Sequence, residues 1–273
     1  MLNEIGRLDS ESRKQFDISL AEIFKLLDKD KIRSAEKKLI EISKTPNYFI
    51  REYIGKKLVT YENVDKMVQI AEKMLTHRIY GVRATALFFL YYINIENPDK
   101  VLELLELTFD SVPWEVESVI NGMWKRYPDI MKEYMATWIE SENSQKRSLS
   151  FHGMENIAHS DPIYIMDFIA RAIDDDTMEV QKKITHILTQ VARANPIIVY
   201  PYVREWLAEA DETRTKTIWV SMKKLANIVV QRNRRDSKEE FVILTEQTVE
   251  DWRSDENENV SQMGDRLARI IWR

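Results

Sequence analysis

Asn97-Pro98-Asp99-Lys100-Val101, Tyr127-Pro128-Asp129-Ile130-Met131, Asp161-Pro162-Ile163-Tyr164-Ile165 and Asn195-Pro196-Ile197-Ile198-Val199 are four versions of one short phrase, with prolines 30, 34 and 34 residues apart. Each version reads as a helix start. Proline is tolerated at the first helical position, whose N–H has no partner there, and an Asn or Asp just ahead can cap the next free amides. Three, six, seven and eleven residues past each proline stand Val101, Leu104, Leu105 and Phe109; Met131, Tyr134, Met135 and Ile139; Ile165, Phe168, Ile169 and Ile173; and Val199, Tyr202, Val203 and Leu207. One apolar face at helical period recurs behind every proline.

A second helical segment precedes each proline: Tyr80 to Asn94, Trp114 to Arg126, Gln145 to Ala158, and Met178 to Arg193. Two antiparallel helices in about 34 residues, stacked on the next pair, predict an all-α fold, an α-solenoid or superhelix of HEAT-like antiparallel helix pairs. The fixed Trp, Gly, Tyr and Ala of tetratricopeptide repeats and the Thr-Pro-Leu-His of ankyrin repeats are absent. Residues 1–273 read as a single repeat domain, with capping helices in 1–45, the array over 47–230 and C-terminal helices in 236–273.

Outside the proline-marked units, Asp9 to Asp28 and Lys31 to Ser43 give two amphipathic helices that would close one end of the array. Asn47 to Val59 and Asn63 to Leu75 form a less regular pair, with Phe49, Ile54, Leu58, Val68 and Ala71 expected inward. Asp211 to Val230 supplies the next helix, Arg232 to Asp236 reads as a loop, and Phe241 to Trp252 and Val260 to Trp272 read as the last helices.

Composition narrows the function. Hydrophobic residues make up 44% of the chain, with only 6 Gly and 7 Pro, which suits long helices and short turns rather than sheets. Without cysteine there is no disulfide and no thiolate chemistry, and 4 His at no metal-ligand spacing predict no metal site. Gly-rich phosphate loops are missing as well, so no cofactor is expected. The start is polar, and the longest apolar run, Ala86 to Ile93, is far too short for a bilayer. The expectation is a cytoplasmic protein with no membrane partner. A net charge of −5 argues against indiscriminate nucleic-acid binding but leaves room for a local basic groove.

The charges are patterned. Cations cluster near the starts of the helices that precede the prolines, at Arg83, Lys146, Arg147, Lys182 and Lys183. The proline-started helices end in acids, at Asp110, Glu140, Asp174, Asp175, Asp176 and Glu209. Both placements oppose the helix macrodipole, so local helix energetics do not account for them. Stacked along a solenoid, the cations would form a ladder able to neutralise phosphates. Ser118, His152 and His186 also stand ten residues before their prolines, in a column whose fourth member is Phe88. Helix-to-helix packing is the other reading of that column.

Val112-Pro113-Trp114-Glu115-Val116-Glu117-Ser118, Ser141-Glu142-Asn143-Ser144-Gln145-Lys146-Arg147 and Glu179-Val180-Gln181-Lys182-Lys183-Ile184-Thr185-His186 with Asn195-Pro196 resemble the AlkD-type DNA alkylation repair glycosylases over roughly Phe49 to Ala226. The resemblance implies a HEAT-like solenoid with a concave basic groove that holds duplex DNA by its backbone and releases N3- or N7-alkylated purines. It places Trp114 at the family's first tryptophan and Arg147 at its arginine. Ser118 falls where the catalytic aspartate stands, and His186 where a second tryptophan stands. Serine cannot supply the negative charge that stabilises a cationic sugar. Glu117 is adjacent but about 100° round the helix, and Glu115 is displaced in the opposite sense.

The residues and the resemblance together predict a binder of double-stranded DNA, damaged or branched DNA included, with glycosylase chemistry lost or altered. Its contacts would be Trp114, Arg147, His186, Lys146, Lys182, Lys183, Arg83 and His152. Two other readings stay open. One is an active alkylpurine DNA glycosylase using Glu117 or Glu115. The other is a scaffold for a protein partner, contacted by the acidic rims and by Trp138 and Trp206.

Overall fold

The computed structural model describes residues 10–232 and 239–273. Every regular element among them is helical: α1 (Ser10–Asp28), α2 (Ile32–Ser43), α3 (Tyr48–Leu58), α4 (Val64–Leu75), α5 (Tyr80–Ile93), α6 (Pro98–Thr108), α7 (Pro113–Arg126), α8 (Pro128–Trp138), α9 (Ser144–Ser150), α10 (Pro162–Ala170), α11 (Met178–Ala194), α12 (Pro196–Ala208), α13 (Glu212–Arg232), α14 (Glu240–Arg253) and α15 (Glu258–Ile271). The fold class is the expected all-α stack of antiparallel helix pairs. Contacts divide the chain into two compact units, which part between Met123 and Trp124.

The four prolines each occupy the first residue of a helix, as the sequence pattern requires. Ahead of them, the Asn97 side chain accepts from the Lys100 amide and Asp161 from the Tyr164 amide. Asn195 differs. It also ends α11, and its amide Nδ2 donates to the Ala158 carbonyl, tying two repeats together in place of capping α12.

The apolar stripes are buried at Val101, Leu105, Met131, Met135, Ile165, Phe168, Ile169, Val199, Val203 and Leu207. In the second unit α9, α11, α13 and α15 pack in succession, and α10, α12 and α14 form a second succession in contact with them. In the first unit α5 is central, buried almost all round from Gly81 to Tyr91, with α3 and α4 against it. The approach of α3 to α5 is close enough to require glycine. A Cβ on Gly55 would lie 2.6 Å from the Phe88 Cβ and 2.9 Å from the Phe89 backbone nitrogen.

Three expectations are corrected. The helix expected from Gln145 to Ala158 breaks after Ser150, because Gly153 takes a left-handed backbone (φ 83°) and a 3-10 turn, Met154–Ile157, follows. Phe49, expected inward, is 46% exposed. Trp138 and Trp206, weighed as partner-contacting aromatics, are buried. Of the expected loop, Arg232 ends α13 and residues 233–236 lie outside the described residues.

Candidate functional site

Among the described residues Trp114 is the most exposed of the large hydrophobic side chains, at 71%, and it stands in the first turn of α7. What fixes that turn lies next to it. Glu115 is fully buried, and its Oε1 receives Nε (3.0 Å) and Nη2 of Arg51 from α3. Its Oε2 receives the Tyr80 hydroxyl at 2.5 Å. Burial first, then the Glu115 carboxylate, pushes the Tyr80 phenol up. A carboxylate so enclosed and paired cannot face a bound nucleotide, which corrects the reading of Glu115 as a substitute catalytic acid.

Ser118 stands one turn after Trp114 and shares its face of α7. Its Oγ accepts the hydroxyl of Tyr48, from the first turn of α3, at 2.5 Å. The Tyr48 ring meets Phe88 of α5 edge-on (5.4 Å) and the exposed Phe49 edge-on (5.5 Å). Tyr92, one turn beyond Phe88, stacks on it at 6.4 Å and donates its hydroxyl to Glu52 at 2.6 Å. The first unit therefore carries an aromatic surface built from one side of α3, α5 and α7, with serine where the resemblance would put a carboxylate. Glu117, the other carboxylate weighed, is half-buried on the same helix.

The cations resolve into two groups. Arg51, Arg83 and Arg147 each turn Nη1 back to the carbonyl six residues earlier, at Thr45 (3.2 Å), His77 (2.7 Å) and Ser141 (2.9 Å). Their other nitrogens reach toward a later helix or the loop before it. Arg51 meets Glu115, Arg83 meets the Ser111 carbonyl (3.1 Å), and Arg147 meets Asp175 (2.7 Å) and the Thr177 hydroxyl (3.2 Å). Arg83 and Arg147, expected to face phosphate, are thus staples between repeats. No side-chain periodicity shows this, because the acceptors are backbone carbonyls and residues some thirty positions on.

The acids at the helix ends belong to the same arrangement. Asp174 pairs with Arg214 (2.8 Å) and Glu140 with Arg171 (3.0 Å). Burial raises the Asp175 carboxyl, but Arg147 together with the Thr177 amide and hydroxyl outweighs it and holds the group below the usual carboxylate range. Glu140, Asp174 and Asp175, which ran against the macrodipole, are each matched by an arginine of another repeat.

The second unit holds the remaining candidates. Lys182 and His186 are exposed on α11, and Lys183 Nζ lies 3.1 Å from His152 Nδ1. Lys146 lies over the Trp138 ring at 5.7 Å. Desolvation lowers the His186 pKa; Glu155 opposes this, and Lys224 and Lys183 add to it. The column ten residues before the prolines does not stay uniform. Phe88 is buried, Ser118 and His152 are half-buried, His186 is exposed, and His152 follows the break in α9. Among the described residues no cluster of three or more His, Asp or Glu is placed to hold a metal, and no helix is long and apolar enough to cross a membrane.

The sequence matches the family model described as DNA alkylation repair enzyme over residues 47–225. No curated protein matches it. Similar solved structures include an engineered protein, 13% identical over 88% of this chain and 74% of that one with a TM-score of 0.39. A designed armadillo repeat protein is 16% identical over 92% of this chain and 98% of that one, with a TM-score of 0.26.

Proposed function

Because the chain belongs to the DNA alkylation repair enzyme family, we propose that it binds double-stranded DNA, with Trp114 as its aromatic contact and Lys182 among its phosphate contacts, and that Ser118 deprives it of carboxylate-assisted base release. The observation that carries this reading is the pairing of a displayed Trp114 with a Ser118 already bonded to Tyr48. An aromatic ring held on a rigid turn offers a stacking face at small entropic cost. A serine hydroxyl offers no negative charge to a sugar that becomes cationic as its glycosidic bond breaks.

The test is fluorescence anisotropy of a labelled duplex, plain or with one N7-methylguanine, across a salt series. Wild-type protein binds both and releases no base above the spontaneous rate. Trp114→Ala weakens binding roughly tenfold, in line with about 1–3 kcal/mol per stacked base. Lys182→Glu makes the slope of log K against log salt shallower by about one unit or more. Ser118→Asp restores the missing charge and raises release of N7-methylguanine on the order of 10²-fold. Failure to bind any duplex at low salt overturns the reading and turns the search to a protein partner. Base release by the wild-type protein overturns its second half.

A further inference from the structure

In the first unit α4 and α6 each pack on α5 but scarcely touch one another, whereas α10 and α14 of the second unit both pack directly on α12. The space left between α4 and α6 is a groove of about 510 Å³. Its walls are two helical stripes. Val64, Val68 and Leu75 recur at helical spacing on α4, and Lys100, Leu104 and Leu107 do so on α6. Leu90 and Ile93, from the end of α5, line the groove with them. Leu90 lies about 200° round α5 from Phe88, so the groove and the aromatic surface use opposite sides of that helix.

The rim is acidic. Asp65, Glu72 and Glu103 stand there against the single ammonium of Lys100. All four are exposed, and among the described residues none of these four side chains is engaged in a hydrogen bond or an ion pair. Asp65 is favoured where it stands, in the first turn of α4. Glu72, near the end of α4, faces the negative end of that helix dipole, and Glu103 lies within α6 away from its start. Glu140 and Asp174, also near helix ends, are answered by arginines of other repeats; Glu72 has no such counterpart. An apolar helix laid in this groove would desolvate the rim carboxylates, and an acidic one would be repelled by them. A helix with an apolar face flanked by lysine or arginine satisfies both the walls and the rim. From Val64 to Leu75 the wall runs about 16 Å, room for about three helical turns.

We propose that the groove between α4 and α6 docks an amphipathic, basic helix of a protein partner, with Leu104 and Leu107 against its apolar face and Glu72 and Glu103 against its lysines or arginines. This surface is separate from Trp114 and Ser118, and it does not rest on the DNA-binding reading.

The experiment follows the fluorescence anisotropy of a labelled leucine–lysine peptide, designed as an amphipathic helix with its leucines on one face, against the intact protein. Two control peptides accompany it. One has the same composition in an order that gives no apolar face, and the other carries glutamate in place of lysine. Wild-type protein binds the amphipathic basic peptide about tenfold or more tighter than either control. Leu107 is 65% exposed, so Leu107→Gln leaves the melting temperature unchanged while it weakens peptide binding roughly tenfold. Glu72→Lys combined with Glu103→Lys weakens it at least as much. Glu133→Lys combined with Glu205→Lys, the same change in net charge at exposed positions on α8 and α12, leaves it unaltered. Equal binding of the amphipathic peptide and either control overturns the proposal. So do groove variants that bind the peptide as tightly as the variant altered on α8 and α12, because attraction to overall negative charge would then explain the binding.

Discussion

Glu115 carries a charge where solvent does not reach, and it is stable there because Arg51 and Tyr80 take both of its oxygens. Substitution of one member of such a pair costs more than the pair contributes, since the remaining charge is left buried without compensation. Glu115→Gln, which strands Arg51, is expected to destabilise the protein by roughly 3–5 kcal/mol. Urea denaturation measures it as a lower midpoint at constant slope. A midpoint close to the parent's would mean that α3 and α7 are held together by apolar packing alone. The sequence reading weighed Glu115 as an accessible carboxylate because the helix wheel of α7 registers only neighbours along the helix. Its partner Arg51 stands 64 residues earlier. Trp114 and Ser118 were legible as a pair because their relation is local, one turn on one face. The Tyr48 bond that occupies Ser118 was not, since it depends on how closely α3 and α5 approach at Gly55.

Elements were legible to the degree that their signals are local. Proline starts and apolar stripes lie within the helices they define, and α6, α8, α10 and α12 begin at their prolines. The interruption of α9 was not legible, because one glycine inside a polar-apolar pattern is also compatible with an unbroken helix. Gly153 has φ 83°, a region that places a Cβ against the following carbonyl oxygen. Gly153→Ala is therefore expected to cost about 1–2 kcal/mol. A thermal melt is the measurement. A stability equal to or above the parent's would mean that α9 readily extends through this turn, as first expected. The break has a local consequence, since it directs the chain at His152 out of the helical path and toward Lys183 on α11.

Across the molecule, net charge says less than the way the charges are matched. Several charges that oppose their own helix dipoles are consumed in pairs between successive repeats, such as Arg147 with Asp175 and Arg214 with Asp174, and Lys132 with Asp161 adds a further pair between helices. Stability against acid should follow from these pairs. Lys132 and the Tyr164 amide hold Asp161 below the usual carboxylate range against the effect of burial, and Arg214 does the same for Asp174. A carboxyl whose folded value is depressed contributes stability that is full above its unfolded value of about 4. That stability is lost as pH falls through the folded value, because the unfolded chain then binds more protons. The expected outcome is a plateau near neutrality and a progressive loss of stability below about pH 4. Urea midpoints measured from neutral pH downward check it. Asp175→Asn should lower the plateau and make the acid limb shallower, since a group that cannot titrate contributes no proton linkage. An acid limb of unchanged steepness in that variant would show that the repeat-to-repeat pairs are not what couples this fold to pH, and would move the explanation to the exposed carboxylates.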